Sequence, residues 1–113
     1  MDAMFVGTGI IELYLPDSNS LKDKRGILSR MLKRTQNEFN VSVAEVGANE
    51  HWKKALIGFA VVGNDQPYIN KKIDLIFNFV EELRLAEVVN TSFEILSFSA
   101  SLSIGNYEEG KYG

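Results

Sequence analysis

Two stretches of this chain repeat their apolar residues at helical spacing, and the runs around and between them alternate at strand spacing. That order constrains the fold more than any other feature. Leu21, Leu28, Met31, Leu32, Thr35 and Phe39 fall on one helical face. Ser20 predicts the cap, with Asp23 three residues on as a capping-box variant, and Asn40 is the stop. Ile69, Ile73, Ile76, Phe77, Val80 and Leu83 form a second stripe, opened by Asn64, Asp65 and Pro67, with Asp65 as cap.

The strand signals fit between. In Phe5–Leu15, Ile11, Leu13 and Leu15 alternate with Glu12 and Tyr14, and Pro16 with Asp17 closes the run. Val41–Gly47 and Ala55–Val62 are strand-like, and the turn-rich ANEHWKK between them predicts a hairpin. A last strand starts near Glu87 and passes through Val89, Phe93 and Ile95. The order is βαββαβ, an α+β, ferredoxin-like sandwich. Right-handed crossovers then require an antiparallel sheet in the order 4-1-3-2, with helices near Ser20–Phe39 and Asp65–Leu83 on one face.

From Leu96 to Ile104 apolar residues (Leu96, Phe98, Ala100, Leu102 and Ile104) alternate with serines without a fault. Phe93 and Ile95 are odd-numbered whereas Leu96 and Phe98 are even, so a bulge is expected near Ile95–Leu96. The expected division is a domain over 1–96, then a C-terminal strand extension and polar tail over 97–113. An apolar ribbon of this kind needs cover, so Leu96, Phe98, Leu102 and Ile104 are expected to be buried in a homo-oligomer.

At 113 residues the chain has the length of one domain, and with no cysteine it has neither disulfides nor thiolate chemistry. No apolar run is long enough for a bilayer, and the first residues, MDAMFVG, lack the pattern of a signal peptide. A cytoplasmic protein without membrane contact is expected. The single histidine, His51, has no metal-ligand spacing or nucleophile partner, and no phosphate-binding glycine motif occurs. The expectation is therefore a non-enzyme with no catalytic residues, cofactor or metal. Gly58-Phe59-Ala60 echoes an RNA-recognition strand, but Ile57, Val61 and Asn64 stand where its cation and rings belong, so base stacking on the sheet is not expected.

Charge is where a function shows. The chain is formally −3, yet Ser20–Arg34 holds six of its 12 Lys and Arg residues against one acid, Asp23. Lys22, Arg25, Arg30, Lys33 and Arg34 all leave the apolar stripe. Lys22, Lys24 and Arg25 lie where the helix dipole is already positive, at a cost of about 0.3–1 kcal/mol each. The topology brings that helix start to the same end as the loop carrying Trp52, Lys53 and Lys54, and as Arg84 after the second helix. Lys22, Lys24, Arg25, Lys53, Lys54 and Arg84 around Trp52 are thus the expected site for RNA or another anion, with Trp52 either stacking on a base or lidding the core. The alternative is a homo-oligomeric module whose basic helix docks an acidic protein.

DSNSLKDKRGILSRMLKR, FNVSVAEVG, the Trp52-Lys53-Lys54 triplet and GFAVV together resemble the YlxP-like bacterial domains of unknown function, over roughly Val6–Leu96. The resemblance implies the fold just derived. Genes of that family often lie beside genes for ribosome maturation and translation initiation, which implies a ribosomal particle as partner by association. It implies no catalytic residues.

Overall fold

The computed structural model describes residues 2–100. Its elements are β1 (Asp2–Tyr14), α1 (Leu21–Glu38), β2 (Ser42–Gly47), β3 (Lys54–Gly63), α2 (Gln66–Leu83) and β4 (Glu87–Ala100). The sheet order is β2-β3-β1-β4, with every neighbouring pair antiparallel. Both helices pack on one side, so the ferredoxin-like βαββαβ sandwich read from the periodicities is the fold.

Alternation decides which side of each strand meets the helices. In β3, Ala55, Ile57, Phe59 and Val61 are buried beneath them, while Leu56, Gly58, Ala60 and Val62 turn to the open face. Ile11 and Leu13 of β1 join that core, with Leu28 and Met31 from α1 and Ile69, Ile73, Ile76 and Val80 from α2. Each such large side chain contributes roughly 1.5–3 kcal/mol on burial. Two glycines of β1 make room for it. A Cβ on Gly7 would stand 2.6 Å from Ile69 Cγ2, and one on Gly9 would stand 2.3 Å from the Phe59 ring.

The caps fall where the sequence places them, with one variation. Ser20 Oγ accepts from the Asp23 amide at 3.0 Å, but Asp23 Oδ2 accepts from the Asn19 amide, not that of Ser20. Asp65 Oδ2 accepts from the Tyr68 amide at 3.0 Å. Lys72 Nζ donates to the Asn40 carbonyl just past α1, and Phe39 meets Phe79 edge-on at 5.4 Å, so the two helices are tied together at that end.

The last strand departs from expectation. The register shift lies between Glu12 and Leu13, which pair with Asn90 and Val88 and leave Val89 unopposed. No shift occurs at Ile95–Leu96. Beyond the bulge, Thr91, Phe93 and Ile95 share a side with the helices, and Leu96 and Phe98 simply take the open one. A strand with apolar residues on both faces needs no flip. β4 therefore runs unbroken to Ala100, and β1 begins earlier than expected, at Asp2, because Asp2–Met4 pair with Phe98–Ala100. Leu102 and Ile104 lie outside the described residues.

Candidate nucleic-acid interface

The start of α1 and the β2–β3 loop do meet, but in a way that commits two of the expected cations to backbone carbonyls. Lys24 is 2% exposed. Its ammonium donates to the carbonyls of Ala48 (2.6 Å) and His51 (2.7 Å), with Glu45 Oε2 at 2.9 Å and the Asn49 carbonyl at 3.5 Å. Glu45 Oε2 has no hydrogen-bond donor of proper angle, so its interaction with Lys24 is one of charge. The ammonium donates to three carbonyls, that of Asn49 the most distant, and Glu45 supplies the opposing charge, which together are what a buried lysine requires. Lys24 is thus a tether that pins the loop to the helix, holding Ala48 in a left-handed conformation (φ 59°). It is not a free anion ligand as the sequence led one to expect. The signal was present: Lys24 lies on the helical stripe of Leu28, Met31 and Thr35, at i, i+4, i+7 and i+11.

Lys53 is a second tether. Its ammonium donates to the carbonyls of Pro16 (2.9 Å) and Ser18 (2.8 Å), closing the β1–α1 loop from below. Lys54 is exposed, but it opens β3 beside Tyr14, on the side of the sheet away from the helices. Arg84 caps α2 in the left-handed region (φ 55°) and lines a hollow with Asp17, Glu81 and Glu87, so its surroundings are acidic. The expected ring of six cations is therefore divided among four settings, with Lys22 and Arg25 left on the outer face of α1. Trp52 is 54% exposed, which disposes of the core-lid reading and leaves its ring available.

The outer face of α1 remains. Lys22, Arg25, Arg30, Lys33 and Arg34 are all exposed. Among the described residues the one ion pair is Lys24–Glu45, so none of these five is ion-paired. They surround a residue that charge counting passes over. Gly26 is exposed in mid-helix, and a Cβ built on it would meet nothing within 4 Å. Glycine there costs about 1 kcal/mol relative to alanine, and no packing accounts for it. A helical wheel alone would have shown it among the cations. Among the described residues, no group of His, Cys, Asp and Glu side chains is placed to hold a metal ion.

The family whose members are described as "Protein of unknown function (DUF503)" matches residues 6–93. The chain belongs to this family. It is also 34% identical over 76 residues to "Uncharacterized protein YlxP" of Bacillus subtilis (strain 168), a match covering 67% of this chain and 83% of that protein. The YlxP-like resemblance carried by the SLKDKR and FNVSVAEVG strings is thereby established. Among solved structures, the de novo designed protein Foldit4 matches at a TM-score of 0.47 and 15% identity, covering 87% of this chain and 99% of that one. The designed protein LFR1 1, with a ferredoxin fold, matches at 0.38 and 15%, covering 91% and 90%. No helix among the described residues of this DUF503 protein is long and apolar enough to cross a membrane.

Proposed function

We propose that this DUF503 protein is a non-enzymatic docking protein that holds RNA, or an RNA–protein particle, against the outer face of α1. The observation that carries this reading is the five exposed cations around Gly26, none of them in an ion pair among the described residues. Cations near the helix start and a glycine in its exposed middle both weaken the helix, and they coincide at one place. A local rule broken without structural gain is where a ligand belongs. From Lys22 to Arg34 the face runs about 18 Å, enough to follow several successive phosphates. The missing Cβ at Gly26 lets a phosphate backbone lie against the helix itself.

Lys22→Glu combined with Arg25→Glu tests this. Affinity for single-stranded RNA should fall at least 10-fold, and the slope of log K against log salt should flatten by about 0.7 for each phosphate no longer neutralised. Stability should hold or rise, because acids suit the first turn. If Trp52 stacks on a base, Trp52→Ala should weaken binding by about 1–3 kcal/mol without changing that slope. Unchanged RNA affinity in the double charge reversal would leave the cationic face to an acidic protein partner.

A further inference from the structure

Among the described residues, the side of the sheet away from the helices carries no layer of its own, and its central part is apolar. Register places Met4, Val6, Val62, Leu96 and Phe98 together there, on three adjacent strands. Val62 pairs with Val6, Val6 with Leu96, and Met4 with Phe98, so no charge interrupts the group. Its members stand up as a ridge. Beside it, where β2 and β3 offer Ala44, Gly58 and Ala60, the same face sinks into a shallow trough of about 390 Å³, bordered by Ile10 and Val46. The charges of this face lie around these two features. Asp2 lies beside the Met4–Phe98 pair at one end of the ridge, Glu94 is on the outer strand, and Glu12, Lys54 and Glu87 lie toward the far end of the sheet.

We infer that this face binds a second copy of the same chain, the ridge of each copy entering the trough of the other about a two-fold axis. Three observations favour a second copy over another occupant. The first is shape: ridge and trough adjoin on one surface, which is the self-complementarity that an isologous two-fold contact requires. The second is charge: the centre is uncharged, with the acids and one lysine at its margins, which matches the apolar core and polar rim of an interface and keeps like charges out of the middle of a contact between two copies.

The third is area. Met4, Ile10, Val46, Val62, Leu96 and Phe98 are each 44–60% exposed. They present on the order of 600 Å², which with the half-buried residues between them approaches the roughly 800 Å² per partner of a standard interface. A patch of about 600 Å² is at the upper end of the largest that a typical monomer leaves in water, and patches of that size are often functional. Such a dimer leaves the cationic side of α1 outward on both copies, so it does not depend on the RNA-docking reading.

Sedimentation equilibrium of the full chain at about 10–100 μM is the test, since a standard interface of this kind is well populated there. The chain should be dimeric. Val62→Lys on the ridge and Ala60→Lys in the trough should each weaken the dimer at least 100-fold, while far-UV circular dichroism stays unchanged. Ser99→Lys, on the helix side of β4, should leave it intact. Should one of the two lysine variants fail to fold, the other decides. A monomeric full chain overturns the inference, and so does a dimer that survives in the folded ridge and trough variants. Removal of residues 101–113 should also leave the dimer unchanged. A monomeric truncation would show that the tail holds the copies together, and a full chain that dimerises only once truncated would show that the tail covers the face. Either result overturns it.

Discussion

Replacing Lys24 with methionine keeps the length and the apolar stem of the side chain and removes its ammonium. Three oxygens then lose their partner: the carbonyls of Ala48 and His51, at 2.6 and 2.7 Å, and Glu45 Oε2, at 2.9 Å. Breaking a fully buried ion pair costs roughly 3–5 kcal/mol, because the surviving charge is left without solvent or partner. Here the cost is smaller. Glu45 Oε2 is buried, but the Glu45 side chain is 25% exposed and can turn its carboxylate toward solvent, and His51 lies at the surface, so water recovers part of the loss. About 2–4 kcal/mol is the expected destabilisation. Equilibrium urea unfolding followed by circular dichroism reads it as a lower midpoint at unchanged slope. Lys24→Met with Glu45→Met should recover the part of the loss due to the stranded carboxylate, while the carbonyls of Ala48 and His51 remain without their donor. If Lys24→Met alone stays within about 0.5 kcal/mol of the parent, the tether contributes nothing beyond an ordinary surface residue. If it instead weakens RNA binding at full stability, the lysine is a ligand after all.

Two glycines give opposite expectations. Gly26→Ala should raise stability by about 1 kcal/mol in thermal or urea unfolding, since its Cβ meets open space. If the helix backbone lies against phosphates, the same variant should bind RNA less tightly. A gain in stability with unchanged affinity would show that no close approach occurs. Gly9→Ala should destabilise by about 1–3 kcal/mol or more, because its Cβ would stand 2.3 Å from the Phe59 ring, which is itself held edge-on against Phe77 at 5.5 Å. A neutral result there would mean that the ring has room to move.

Some of the site is legible in the sequence and some is not, and particular residues show why. Angle alone assigns Lys22, Arg25, Arg30, Lys33 and Arg34 to the outer face, and they lie there, because a helix facing a core on one side has only solvent on the other. Topology places Arg84 at the correct end of the sandwich. Its neighbours Asp17, Glu81 and Glu87 come from three separate segments, and no local pattern announces that they converge. The bulge falls elsewhere than parity suggests for a similar reason. Parity shows where a strand's faces change character, but not whether the second face is itself apolar.

What the sequence by itself determined is the architecture. Helical and strand periods in the order βαββαβ leave one economical way to bury their apolar stripes, and the chirality of crossovers sets the strand order. The two caps follow as well, since an N-cap needs only a side-chain oxygen within reach of the next turn. The tertiary structure decided what each cation does. A lysine ammonium reaches several ångströms from its backbone, so its role depends on which carbonyls other segments bring within that reach. For Lys24 these are the oxygens of Ala48, His51 and Glu45, and for Lys53 those of Pro16 and Ser18. For Lys22 and Arg25 no carboxylate among the described residues comes within ion-pair distance, and their charge is left for a partner.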